Sequence, residues 1–275
     1  MFEYLNSLRE DIEKINVSNQ DITYLDVTRF KNLKILNCSN NKLTILQFNE
    51  NLEELNCNYN RLTTLPPSEN LKMLYCSNNK LITLPPLNKN LKILHCSNNQ
   101  LTTLPQLNEN LKVLNCINNY LTILPPLNKH LEMINCSINR LTNLPPLNEN
   151  LESLYCSYNQ LTILPPLNKN LETIHCQFNK LTILPQLNEK LITWILYENP
   201  IFDIINTDNK HIINENLRVL NQFRYLYYCL KFKKRFRDLL WVKIREPKIR
   251  EKYSHSYLLE NLHEDTDLDV LLENW

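Results

Sequence analysis

Leu91-Lys92-Ile93-Leu94-His95-Cys96-Ser97-Asn98-Asn99-Gln100-Leu101-Thr102-Thr103-Leu104-Pro105 is one copy of a pattern that returns along most of the chain. Its cysteine marks the step. Cys38, Cys57, Cys76, Cys96, Cys116, Cys136, Cys156 and Cys176 follow one another at intervals of 19, 19 and then 20 residues. With the unit numbered from its first leucine, Leu stands at positions 1, 4, 11 and 14 and Asn at position 9. A short period of this kind signals a solenoid, in which no unit buries its apolar face alone and stacked neighbours bury it together. Ten units start at Ile12, Leu33, Leu52, Leu71, Leu91, Leu111, Leu131, Leu151, Leu171 and Leu191. The first is degenerate, and the last replaces cysteine with Leu196.

Residues around positions 3–6 alternate in and out, the period of a strand with one buried face. Each such strand is expected to pair in parallel with the next, closing the Leu and Cys columns into one core. The second half of a unit, as in Leu124-Pro125-Pro126-Leu127-Asn128-Lys129-His130, cannot be helical, because two prolines remove donors and fix φ. An extended or polyproline-like return path follows. The asparagine column, Asn41, Asn60, Asn79, Asn99, Asn119, Asn139, Asn159, Asn179 and Asn199, is expected to form a ladder whose amides satisfy backbone groups left unpaired by the turn.

The Leu-x-x-Leu-x-Cys-x-x-Asn-x-Leu-Thr-x-Leu-Pro unit resembles a leucine-rich repeat. Its 20-residue length and Leu-Pro-Pro/Gln-Leu return path resemble the short bacterial-effector type. The Cys at position 6 and the ending, Phe236-Arg237-Asp238-Leu239-Leu240-Trp241-Val242-Lys243-Ile244-Arg245-Glu246-Pro247 with Leu268 to Trp275, are closer to leucine-rich-repeat proteins of large DNA viruses that infect amoebae. The resemblance implies a leucine-rich-repeat solenoid of the α/β superhelix class, mostly short parallel strands, whose concave strand-lined face binds proteins. Some bacterial effectors of this type carry a ubiquitin-ligase domain with a Cys followed two residues later by Asp. Here Cys229-Leu230-Lys231 lacks that motif, so the resemblance does not extend to that activity.

The division expected is an N-terminal cap over 1–11, ten repeats over 12–201 and an α-helical C-terminal cap over 202–275. Composition narrows function. The 275 residues contain no Gly, so sites that need glycine for close backbone approach to phosphate are absent. Asn is expected to supply any left-handed turn residue. One inward thiol per unit reads as core packing in a reducing compartment, not as a metal site, since spacings of 19–20 match no zinc pattern. No nucleophile motif, cofactor fingerprint or metal-ligand cluster is present, and a non-enzymatic protein with no cofactor is expected. Met1 to Asp11 lacks a hydrophobic run and no stretch approaches the length of a spanning helix, which points to an intracellular, cytoplasmic monomer.

Candidate contact residues lie on the strand face, where positions 2, 3, 5, 7 and 8 are expected to face the concave side. Position 5 is Asn in five units but Tyr75, His95, Tyr155 and His175 in four, residue types that make good anchors. Residues 71–110 and 151–190 share further details, and an 80-residue duplication also accounts for the recurrence. His95 and His175, four strands apart, stand ~19 Å from each other and cannot share a metal. Position 2 runs Lys72, Lys92, Lys112 and then Glu132, Glu152, Glu172, a basic block followed by an acidic one that could orient a partner. By contrast Glu69, Lys89, Glu109, Lys129, Glu149, Lys169 and Glu189 alternate, a column expected to offer at best surface ion pairs.

Downstream the period changes. Leu217, Leu220, Phe223, Leu226 and Leu230 fit a helix face suited to covering the open end of the solenoid. Residues 1–201 carry 17 basic and 17 acidic side chains, whereas 231–252 carry ten basic against three acidic. That segment, with Phe232, Phe236 and Trp241, gives a second reading: an adaptor docking to nucleic acid or an anionic membrane surface. The principal reading is an interaction scaffold that binds a protein on its concave strand face.

Overall fold

The computed structural model describes residues 5, 7–205, 207, 209–223 and 246–248. Twelve three-residue strands precede a short helix. They are β1 (Lys14–Asn16), β2 (Tyr24–Asp26), β3 (Ile35–Asn37), β4 (Ile45–Gln47), β5 (Glu54–Asn56), β6 (Met73–Tyr75), β7 (Ile93–His95), β8 (Val113–Asn115), β9 (Met133–Asn135), β10 (Ser153–Tyr155), β11 (Thr173–His175) and β12 (Thr193–Ile195); α1 covers Pro200–Ile205. Ten strands, one per unit, form a parallel sheet in the order β1-β3-β5-β6-β7-β8-β9-β10-β11-β12. Register is strict: position 4 pairs with position 4 of the next unit, as in Leu94 with Leu114 and Leu154 with Ile174.

That register stacks identical side chains, which is why the core is a set of columns. Leu94, Cys96 and Leu101 of one unit are fully buried, as are Leu114, Cys116 and Leu121 of the next. All eight repeat thiols are free and fully buried. The ladder runs past the strands: Cys96 N–H donates to Asn115 O (2.8 Å), Asn98 N–H to Ile117 O (2.9 Å) and Asn99 N–H to Asn118 O (3.3 Å). The return path from Leu101 to Asn108 has no helix, in keeping with its prolines.

The first two coils depart from this plan. β2 and β4 form a second parallel sheet on their return side, with Leu25 opposite Leu46 and Val27 N–H donating to Gln47 O at 3.0 Å. Asp26 and Gln47 occupy the place that Pro takes in later units. With its amide intact the return path can pair; from Pro66 onward the donor is missing and that sheet stops.

Asparagine ties one coil to the next. Asn119 Oδ1 accepts from Leu101 N–H (3.0 Å), while its Nδ2 donates to Cys96 O and Cys116 O, both at 3.1 Å. Each cysteine carbonyl thus accepts from two asparagines, its own and the next unit's, as Cys116 O does from Asn119 and Asn139. Replacing Asn119 with Ala leaves those carbonyls their second partners but orphans the buried Leu101 N–H. With the lost side-chain bonds we expect a loss of about 2–4 kcal/mol in urea unfolding; a loss within about 0.5 kcal/mol would deny the ladder its structural role. Two further ladders escaped the sequence reading. Asn108, Asn128, Asn148, Asn168 and Asn188 each donate to the equivalent asparagine carbonyl one unit back, for example Asn128 Nδ2 to Asn108 O at 2.8 Å. Asn110 and Asn150 do likewise to Lys89 O and Lys129 O (both 2.7 Å). The recurring Leu-Asn-x-Asn was the signal.

Two compact units divide the chain, residues 1–217 and 218–275. Within the first, the last coil is covered by α1 and by helical residues 210–217. Ile201, Ile205, Ile213 and Leu217 are buried, and Asn214 pairs with both backbone groups of Leu187 (2.8 and 2.9 Å). Lys210 Nζ donates to Glu189 O and Leu191 O and lies 5.9 Å from the Trp194 ring. The cover therefore begins at Ile205, earlier than the Leu217–Leu230 face that helical periodicity nominated. Phe223, assigned to that face, is 65% exposed. Leu226 and Leu230 lie outside the described residues.

Candidate interaction surface

Strand residues 3 and 5 of each unit share the outer face of the ten-stranded sheet and are half-buried in the central units, β5 to β11. Four of the sequence-nominated residues meet there as two ring pairs. Tyr75 and His95, in register on β6 and β7, contact edge to face with centroids 5.1 Å apart; Tyr155 and His175, on β10 and β11, repeat this at 4.9 Å. Strand stacking produces both pairs, since parallel register places position 5 of one unit beside position 5 of the next. Burial lowers the pKa of both imidazoles, so each is an uncharged ring near neutral pH. His175 Nε2 is buried without a hydrogen-bond partner. Asparagine fills the column between them, and Asn115 Oδ1 accepts from Ser97 Oγ at 2.8 Å.

The position-2 column lies at the entrance of the strands. Lys72 pairs with Glu53 (2.7 Å) and Lys112 with Glu132 (2.6 Å), so both ends of the basic block are matched by a carboxylate and Lys92 is left between them. The Lys72 ammonium, by its hydrogen bond first, holds the Glu53 carboxyl below its ordinary pKa. All four groups are well exposed, and such pairs contribute little to stability. Glu152 and Glu172 have no salt bridge among the described residues. They line an open groove with Glu132, Lys112, His130 and Lys190, the last of which donates to Asn170 Oδ1 at 3.0 Å. No salt bridge forms within the alternating Glu69–Glu189 column among the described residues, where Asn90, Asn110, Asn150 and Asn170 use the backbone carbonyls instead.

Position 8 corrects one expectation. The residue there turns the chain out of the strand with a left-handed backbone, and Asn40, Asn78, Asn98 and Asn118 do so as expected. Tyr59, Ile138, Tyr158, Phe178 and Glu198 adopt the same conformation at φ 53–55°. The stacked ladder imposes it: Ile138 N–H must reach Ser157 O (2.8 Å), and Tyr158 N–H must reach Gln177 O (3.0 Å). For a β-branched residue such as Ile138 this conformation is a true outlier, and strained backbone of this sort costs about 1–3 kcal/mol. Tyr158 and Phe178 stack at 4.3 Å, and Phe178 meets Tyr197 edge to face at 5.4 Å. Ile138 is 44% and Tyr158 49% exposed. Sequence reading placed position 8 on this face but did not single out these rings.

Among the described residues no group of three His, Cys, Asp or Glu side chains converges on a point, and no helix is long and apolar enough to cross a membrane. The basic segment 231–252 and Cys229 lie outside the described residues, apart from 246–248, and so do the stretches 236–247 and 268–275 apart from Glu246 and Pro247.

Residues 50–89, 69–109 and 149–189 match the family described as leucine rich repeats (2 copies). Among solved structures the chain is similar to YopM, a leucine-rich effector protein from Yersinia pestis, with 30% identity and a TM-score of 0.61, over 69% of this chain and 62% of that one. It is similar to the functional domain of InlJ from Listeria monocytogenes, which includes a cysteine ladder, with 32% identity and a TM-score of 0.62, over 68% of this chain and 44% of that one. YopM from Yersinia enterocolitica aligns at 27% identity with a TM-score of 0.51, over 62% and 47% of the two chains. The chain thus spans less than two thirds of the length of each. No curated protein matches the sequence.

Proposed function

For a leucine-rich-repeat protein with repeats of about 20 residues, similar to bacterial effectors built the same way, we propose a non-enzymatic interaction scaffold that binds a protein partner on the concave strand face. The observation that carries this reading is the pairing of Tyr75 with His95 and of Tyr155 with His175 on a column that is otherwise asparagine up to Ile195 in the last unit. Neutral, half-buried rings set on rigid strands lose little conformational entropy on binding, and aromatic anchors dominate protein interfaces. The position-2 blocks, Lys72, Lys92, Lys112 and Glu132, Glu152, Glu172, give the partner an orientation along the stack more than affinity.

Replacing Tyr75, His95, Tyr155 and His175 together with Asn tests this. Asn occupies the same backbone position in neighbouring units, so the melting temperature should hold within a few degrees. Affinity for a partner captured by the full chain should fall. Unchanged affinity moves the binding surface off this column.

A further inference from the structure

We infer that the concave face of units seven to ten takes an amphipathic helix, with lysine or arginine along one flank and apolar side chains along the other. This rests on the strand-face reading and specifies its partner. Two independent features frame the site. At the exit of the strands, the rings of Tyr158, Phe178 and Tyr197 touch in sequence, Ile138 stands at the same position one unit before Tyr158, and Ile138, Tyr158 and Tyr197 are exposed. Three of the four sit on a left-handed turn that five other units give to asparagine. At the entrance of the strands, Glu152 and Glu172 offer carboxylates without a salt bridge among the described residues; of the cations lining the same groove, Lys112 is paired with Glu132 and Lys190 donates to Asn170.

Spacing selects the helix. Both rows repeat once per strand, ~4.8 Å, and a helix repeats every ~5.4 Å, so a helix lying along the stack offers about one turn per unit. Entrance and exit rows are six residues apart, ~20 Å in extended chain, which admits a helix ~10–12 Å across with long cationic side chains reaching one row. Four units of ridge match about three turns. An anionic helix and a nucleic acid are both disfavoured by the same carboxylates.

The probe is a fluorescein-labelled, alanine-based 16-residue helix with one lysine and one leucine per turn on adjoining faces; its twin carries glutamate for lysine. Binding to the full chain is measured by anisotropy, with the triple variant Ile138→Asn, Tyr158→Asn, Phe178→Asn and with Glu152→Lys, Glu172→Lys. The lysine helix should bind, lose at least about tenfold in affinity with either variant, and weaken with salt. The glutamate twin should gain from the charge reversal. The triple variant should also melt higher than the parent, since Asn relieves the turn. Binding of the lysine helix that is absent up to millimolar concentration, or that neither variant moves, overturns the inference. So does a triple variant that melts no higher and binds equally well. A captured partner that loses affinity with the Tyr75, His95, Tyr155 and His175 replacements but not with the triple variant leaves the strand-face reading standing and removes the helix.

Discussion

Raising the pH from 9 to 11 at low denaturant should unfold this protein cooperatively. Burial is the main cause that pushes the thiols of Cys57, Cys96, Cys136 and Cys176 up to about 12, and it raises Cys38, Cys76, Cys116 and Cys156 well above their ordinary value with help from neighbouring thiols. A folded pKa above the unfolded one means stability that is complete below the unfolded value of 9.0 and is lost as pH climbs toward 12. Each thiol contributes about 1.4 kcal/mol per pH unit in that window. The four with values near 12 remove about 5–6 kcal/mol by pH 10, and the other four act in the same direction, which together is comparable to the stability of an ordinary domain. Circular dichroism against pH checks this, with a thiol reagent alongside: the eight should be silent at pH 8 and react together at the alkaline transition. Rapid reaction of seven or eight thiols in the native protein at pH 8, or a fold intact to pH 11.5, would contradict the buried columns.

A chain ending at Ile201 should aggregate or melt far below the full chain, at high salt as at low. It would lack Ile205, Ile213 and Leu217, all buried, each worth about 1.5–3 kcal/mol. It would leave Leu187 without either bond from Asn214 and bare the last Leu column. Together the loss is about 5–10 kcal/mol, and an uncovered strand edge invites end-to-end pairing. Sedimentation and calorimetry of the shortened chain read both effects. A soluble monomer with an unchanged melting temperature would show that the solenoid needs no cover.

Why some of this was legible in the sequence and some was not follows from periodicity. Leu94 and Cys96 repeat in every unit, so their inward phase could be read directly, as could the Asn99 ladder, whose residue type matches its task. The β2–β4 sheet was hidden because it depends on the absence of proline at Asp26 and Gln47, an exception to the repeat. The Ile138–Tyr197 ridge was hidden for a related reason. Local preference assigns asparagine to a left-handed turn, but the inter-unit ladder holds that turn whatever residue occupies it. At the C-terminal end, apolar spacing favoured a later helix face, while Ile205 and Ile213 lie on either side of an interruption that breaks their helical period. For the site, residue type nominated Tyr75, His95, Tyr155 and His175, and only the register revealed that they meet as pairs.

The central claim is that a partner is held on the strand face. Titration calorimetry of a captured partner against the full chain and the variant with Asn at Tyr75, His95, Tyr155 and His175 tests it most directly. Two aromatic pairs at an interface predict an affinity loss of about thirtyfold or more, equivalent to about 2 kcal/mol, at both low and high salt and with the melting temperature unchanged. An affinity within twofold of the parent at both salt concentrations would contradict the account.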